Sequence, residues 1–240
     1  MALEYSGQGG RNRLLAALTP PDHSLLAPHL KELSFELGSL LQEAGEPVEH
    51  IYFPQHGMVS LLTIMSDGQR IETATVGSEG VIGAMSGFSA RRGFTRAVVQ
   101  APLVASRIAR GEFHTAVQQS EGVRNLMASY NEVLLAQVQQ TAACNALHSS
   151  ESRLARWLLQ TRDRIDSDVL PLTQEFLSQM LGVQRTTVTL VARELEQAGV
   201  IQNRRGRIVI VDRKGLENMA CECYAIIRNH TSTVPPEIVY

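Results

Sequence analysis

The 240-residue sequence predicts an α+β protein in three successive parts: an N-terminal antiparallel β-roll, jelly-roll-like in its strand spacing, then a long dimerisation helix, then a C-terminal winged helix-turn-helix. Residues 31–110 break into short apolar stretches separated by turn residues, the pattern of a small all-β unit. Residues 121–148 then carry an unbroken helical pattern, and residues 172–197 read as two short helices hinged at Gly182 and followed by two alternating strands.

In chain order, residues 1–10 are polar and glycine-containing, a loose tail, and residues 11–18 and 22–30 form two short helices around Pro20-Pro21, with Thr19 or Asp22 as caps. The roll's expected strands are Leu33–Leu37, Val48–Phe53, Met58–Met65, Ile71–Val76, Ala97–Val99 and Leu103–Ile108, punctuated by turns such as Ser66-Asp67-Gly68 and Gly77-Ser78-Glu79-Gly80. One long helix follows, starting at Glu112 or Glu121. Along it Val123, Leu126, Tyr130, Val133, Gln137, Gln140, Cys144 and Leu147 recur at alternating spacings of three and four, a heptad seam that predicts a homodimer. Met127, Leu134, Leu135 and Val138, on another face, are expected to cover the roll. The domain boundaries that follow are 1–18 for the tail and first helix, 19–120 for the roll, 121–148 for the dimerisation helix, 149–218 for the winged unit and 219–240 for a C-terminal helix and tail.

The winged unit carries the chemistry. Thr173 is an N-cap before the first helix, Phe176, Leu177 and Leu181 give that helix an inner face, and Val183, Val188, Val191 and Leu195 line the second. Outward, in the first turns of the second helix, stand Arg185, Thr186, Thr187 and Thr189, where a helix laid in the DNA major groove presents side chains to base edges. Strand patterns on either side of Asn203-Arg204-Arg205-Gly206 make a hairpin with a basic tip. Thr173, Gln174, Arg204, Arg205 and Arg207 are the expected phosphate contacts, and double-stranded DNA the expected partner. A dimer would set two such helices about 34 Å apart and select an inverted repeat.

Charge is distributed to suit. The chain's net charge is −2, but residues 150–214 hold 11 Lys+Arg against 8 Asp+Glu, leaving 11 against 16 elsewhere. No apolar run approaches membrane-spanning length and the N-terminus has no basic-then-apolar leader, so no membrane partner and a cytoplasmic location are expected. Cys144, Cys221 and Cys223 form no disulfide framework and no paired CxxC metal site, and no metal site is expected. As Cys221 and Cys223 would point apart at i and i+2 on a helix, inert thiols are expected there, with a redox role as the alternative.

The order of roll, long helix and winged helix-turn-helix resembles the Crp/Fnr family of bacterial transcription regulators over nearly the whole chain. The matching motifs are Gly77-x-x-Gly80-x-x-Gly83, Ser152-Arg153-Leu154-Ala155-Arg156-Trp157-Leu158-Leu159 and Leu181-Gly182-Val183-Gln184-Arg185-Thr186-Thr187-Val188. The resemblance implies a homodimeric regulator, with RNA polymerase a candidate partner, in which Arg185 occupies the family's recognition-helix arginine and pairs with guanine O6 and N7. Thr186 replaces an acidic residue carried by many members, and Leu190 a second arginine, so a different operator is expected. Cyclic-nucleotide binders of the family use a Gly-Glu pair and a later Arg-Ser-Ala. Here Gly80 is followed by Val81 and Ile82, and the later segment reads Arg91-Arg92-Gly93-Phe94-Thr95-Arg96-Ala97. Cyclic AMP is therefore not expected. The candidate effector pocket comprises Gly80, Val81, Gly83, Arg91, Arg92 and Arg96, vestigial or reassigned to another anionic ligand.

No cysteine precedes Cys144, which excludes the family's N-terminal iron–sulfur sensor, and His50, His56 and His114 read as surface or packing residues rather than haem ligands. His50, His56 and Glu72 lack the spacing of an oxygenase metal site, so the chain is not expected to be an enzyme and has no catalytic residues. The competing readings are an effector-independent regulator with a vestigial roll, and a dimeric ligand-binding or scaffold protein that binds no DNA.

Overall fold

The computed structural model describes residues 12–88 and 92–233. The N-terminal and C-terminal tails of the sequence reading, and Arg91 of the candidate effector pocket, lie outside the described residues. Two short helices come first, α1 (Arg13–Ala17) and α2 (Pro20–Leu26), capped by the side chains of Asn12 and Thr19. The roll comprises β1 (Lys31–Phe35), β2 (Leu40–Gln42), β3 (His50–Ile64), β4 (Arg70–Val76) and β5 (Arg96–Ala109), an antiparallel sheet in the order β1-β5-β3-β4 with β2 also paired to β5.

Two pairs of expected strands have merged. Val48–Phe53 and Met58–Met65 fall largely within β3, and Ala97–Val99 and Leu103–Ile108 within β5, because the residues between them bulge instead of reversing the chain. The β3–β5 register shifts at Pro54/His56, His56/Met58 and Met58/Val59, which bends both long strands. Gly57 permits this: its φ is 90°, and a Cβ there would collide with the Pro102 carbonyl oxygen.

Helix α3 (Arg110–Gln119) and helix α4 (Glu121–Leu147) are separate, broken at Ser120, whose hydroxyl caps Val123 N at 2.9 Å and donates to Asp22. After the break at His148 come α5 (Ser150–Ile165), β6 (Val169–Leu170), α6 (Gln174–Leu181), α7 (Arg185–Gln197), β7 (Ile201–Arg204), β8 (Arg207–Ile210), α8 (Arg213–Met219) and α9 (Cys223–Ser232). The three short strands pair antiparallel in the order β6-β8-β7.

Helix α4 turns both of its expected faces mostly to this chain: Met127, Leu134 and Val138 cover the roll as expected, and the expected dimer seam is buried beside them. Val123, Leu126, Tyr130, Gln137 and Cys144 of the seam are buried against this chain's own roll and α9, and Gln137 Nε2 donates to the carbonyl and hydroxyl of Thr75, both at 3.2 Å. Val133 and Gln140 are half-buried, and of the seam only Leu147 is exposed. Leu135, expected to cover the roll, is 57% exposed. A spacing of three and four reports a contact stripe without saying whether a second helix or a sheet lies against it. Outward, Asn125, Ala128, Glu132, Leu135, Gln139, Ala142 and Ala146 form a second stripe at the same alternating spacing.

The cysteines also depart from expectation. Cys221 lies in the stretch before α9 rather than on it, so it and Cys223 turn to the same place, where Cys144 and His148 meet them.

Roll and winged unit share one continuous core. Met58, Leu62 and Ala101 of the roll pack with Leu154, Trp157, Leu158, Leu177 and Met180, and Trp157 is 1% exposed. Within this seam Trp157 Nε1 donates to Glu72 Oε1 at 2.8 Å, while Ser60 Oγ lies 2.6 Å from Glu72 Oε2 and also contacts Gln100 Oε1. One hydroxyl proton cannot serve both acceptors, and a protonated Glu72 that donates to Ser60, freeing Ser60 to donate to Gln100, is one arrangement that satisfies all three groups. Burial agrees, pushing the Glu72 carboxyl up to about 7 against the opposing pull of the Ser60 and Trp157 hydrogen bonds and of Arg156 and Arg164. A second link joins Arg164 Nη2 to Glu79 Oε1 at 2.7 Å.

Glu72 makes stability fall with pH. Its folded pKa lies above the unfolded value, so its contribution is complete below about 4.5 and is lost as pH rises through about 7, a loss of about 3 kcal/mol. Urea unfolding at about pH 5 and about pH 8 is expected to show this slope in the native protein and a flattened one in Glu72→Gln. Equal slopes in the two proteins would refute it.

Candidate nucleic-acid interface

The helix-turn-helix forms because its corner is locally encoded. Thr173 Oγ1 caps α6 by accepting from Phe176 N at 3.2 Å, and Gly182 ends it with φ 63°, a left-handed turn that lets α7 set off in a new direction. A Cβ on Gly182 would come within 2.9 Å of the Ile71 side chain, so the corner also rests directly on β4 of the roll. Val188, Val191, Ala192 and Leu195 bury the inner side of α7.

The outer side of α7 is open. Arg185 and Thr186 are exposed, and Thr187 and Thr189 half-exposed. Arg185 Nη1 pairs with Glu175 Oε2 of α6 at 2.9 Å, with the two side chains 64% and 59% exposed. A pair so wet contributes at most about 1 kcal/mol, so the guanidinium can leave it for a guanine at little cost. Thr189 Oγ1 donates 3.0 Å to Gln174 Oε1 and lies 3.0 Å from the Arg185 carbonyl. These expected DNA contacts engage each other across the corner and fix the angle between α6 and α7.

The wing is held beside α7 by Glu196 Oε1, which accepts from Asn203 N at 2.9 Å. Arg204, Arg205 and Arg207 are exposed at its tip, and Arg204 Nη2 donates to Gln202 Oε1 at 2.9 Å. Two further exposed residues extend the set read from the sequence, Gln184 at the N-cap of α7 and Arg193 on α7, two turns beyond Thr186. Carrying the helical period past the first turns would have found Arg193.

The candidate effector residues separate. Val81, Gly83 and Arg92 line a cleft of about 180 Å³ beneath α4, whose walls are largely apolar: Val48, Leu61, Ile82, Phe94, Leu134 and Val138. Gly80 stands apart from them, packed so closely on Tyr130 and Val76 that no side chain fits. Arg92 Nη1 donates to the Gly45 carbonyl at 2.7 Å, and Arg96 Nε lies 3.5 Å from Glu43 Oε2. Glu79, the carboxylate nearest the glycine motif, is held by Arg164 of α5 rather than turned to the cleft. No helix among the described residues is long and apolar enough to cross a membrane.

Comparison with known proteins agrees with this architecture. Residues 32–120 match the cyclic nucleotide-binding domain family and residues 152–219 the Crp-like helix-turn-helix domain, together more than half of the chain. The chain is 25% identical over 212 residues to the global nitrogen regulator of Synechocystis sp., covering 83% of this chain and 92% of that protein. Its likeness to the global nitrogen regulator of Synechococcus elongatus is 24% over 186 residues, covering 73% and 83%. Among solved structures, FixK2 from Bradyrhizobium japonicum shares the fold with a TM-score of 0.67 at 19% identity, covering 80% of this chain and 98% of that one. A CRP/FNR family transcriptional regulator from Thermus thermophilus does so with a TM-score of 0.66 at 23% identity, covering 79% and 98%. With both domains matched in the order in which the structure builds them, the chain belongs to the Crp/Fnr family of transcription regulators.

Proposed function

We propose that this regulator binds an inverted-repeat operator as a homodimer, reading bases with α7 and holding phosphates with α6 and the wing. The observation that carries the reading is the exposed first turn of α7, with Arg185 held only by a solvent-exposed ion pair. Arg185 reads a guanine, Thr186 and Thr187 its neighbours, and Arg204, Arg205 and Arg207 neutralise phosphates beside the groove. Thr189 and Gln174 act first by setting the α6–α7 angle, and Thr173 by presenting the start of α6.

Dimerisation uses the outward stripe of α4, Ala128, Glu132, Leu135, Gln139, Ala142 and Ala146. Small residues around one exposed leucine allow two such helices to approach closely, and the alternating spacing keeps the stripe in register along a coiled coil. At promoters such a dimer acts by recruiting RNA polymerase or by excluding it.

The roll does not serve cyclic AMP in this reading. Its cleft is mostly apolar, and its two described arginines are engaged by a carbonyl and a carboxylate of the roll. The apolar walls suit a small effector with an apolar body better than a cyclic phosphate.

Selection of bound sequences from random DNA is expected to enrich an inverted repeat equally with and without cyclic AMP; enrichment only with the nucleotide would overturn the assignment of the cleft. Arg185→Ala is expected to weaken operator binding by about 1–3 kcal/mol and to relax preference at one base pair, whereas Arg205→Ala weakens operator and random DNA alike and lowers the salt slope by about 1. Indistinguishable losses in the two variants would refute the division of roles. Leu135→Glu, at an exposed position, is expected to raise the dimer dissociation constant roughly 30-fold or more in sedimentation equilibrium without altering the fold. An unchanged dimer would exclude this face.

A further inference from the structure

The four groups brought together at the end of α4 have no role in DNA reading or in the roll. Cys144 and His148 lie one turn apart at the C-terminus of α4, on one face by virtue of their i,i+4 spacing, and His148 caps the helix. Cys221 lies in the short stretch between α8 and α9, and Cys223 opens α9. Cys144 Sγ is 3.5 Å from Cys221 Sγ, Cys223 Sγ is 3.5 Å from His148 Nδ1, and all four ligand atoms lie within 4.8 Å of one another. All three thiols are buried.

We infer that Cys144, His148, Cys221 and Cys223 form a tetrahedral zinc site that fastens α9 to the end of α4 beside the break from which the DNA-binding domain departs. Three thiolates and one imidazole are a closed, four-coordinate donor set of the structural zinc type. Bond lengths of about 2.3 Å to sulfur place tetrahedral ligand atoms roughly 3.8 Å apart, and the observed spacings bracket that value. A multi-iron cluster would hold its cysteines farther apart. A Cys144–Cys221 disulfide would use two of the four groups and leave the approach of Cys223 to His148 without a purpose.

The surroundings fit as well. With Nδ1 turned to the metal position, His148 presents Nε2 to Glu222 Oε1 at 3.2 Å, the carboxylate–histidine arrangement that fixes a ligand's ring and tautomer. Gln140 Nε2 donates to Cys223 Sγ at 3.0 Å. Arg153 and Arg156 are both buried and make no ion pair with a carboxylate among the described residues, and both are electrostatic neighbours of Cys144. Three thiolates and Zn²⁺ carry a net negative charge, which two buried guanidinium groups offset.

The site joins the chain before the DNA-binding domain to the chain after it. Metal binding therefore fixes the domain's departure from α4, and DNA affinity depends on it; this second step rests on the DNA-binding reading. Elemental analysis of the full-length protein, purified under reducing conditions without chelator, is expected to give one zinc per chain. Cobalt(II) added to the chelated, reduced protein is expected to produce thiolate-to-cobalt charge-transfer and tetrahedral d–d bands. Glu222→Ala, at an exposed carboxylate, is expected to keep the fold and weaken metal affinity roughly 10–100-fold, while Cys221→Ser loses the cobalt spectrum. Reduced thiols with neither zinc nor a tetrahedral cobalt spectrum, iron in place of zinc, or a metal-free Cys144–Cys221 disulfide would each overturn the site. One zinc per chain with operator affinity unchanged by chelation would leave the site standing and overturn its control of DNA binding.

Discussion

The buried contact between Trp157 and Glu72 sets the architecture around it. A tryptophan on the first helix of the DNA-binding domain and a carboxyl group on the roll meet where neither reaches water, so each must satisfy the other's polar atom. Around this pair the roll lends Met58, Leu62 and Ala101 to the other domain's core, and the Arg164–Glu79 pair closes one flank. The glycine motif at residues 77–80 supports that flank. Gly80 makes room for Tyr130, and Glu79 binds across the domain boundary. Roll and DNA-binding domain thus share a core whose polar centre, the Glu72 carboxyl, is pushed by burial up to about 7.

What the sequence made legible was mostly what is encoded locally. The caps, the Gly182 corner and the wing depend on residues a few positions apart, and each is where the local chemistry puts it. The roll's two long strands each read as two in the sequence, because Pro54 to Gly57 interrupt one apolar pattern and Ala101-Pro102 the other, and only their pairing across β3 and β5 makes these breaks bulges. Helix α4 kept both apolar stripes, but the seam expected to meet a second copy lies against this chain, since periodicity specifies a face and leaves the neighbour open. The site residues followed the same division. Exposure at Arg185 and Arg205 was legible from amphipathicity, whereas the engagement of Gln174 with Thr189 and of Arg185 with Glu175 required the angle between two helices. Cys144 and Cys221 lie 3.5 Å apart in space and far apart in sequence, and nothing local connects them.

Corner and core impose opposite demands on the DNA-binding domain. Its α6–α7 corner leans on Ile71 through a glycine, while the outer face of α7 and the wing stay open to solvent. Rigid support on one side and a hydrated, weakly paired surface on the other suit a domain that must exchange water and its own ion pairs for phosphates and base edges.

The convergence of His148 with Cys221 and Cys223 has a consequence for the domain as a unit of chain. Residues 149–220 leave and re-enter the rest of the molecule at nearly the same point, so the segment is an insertion with adjoining ends. Adjoining ends leave the chain path of the roll, α4 and α9 unchanged by the span between them, so the shared core, and not the connectivity, ties this domain to the roll.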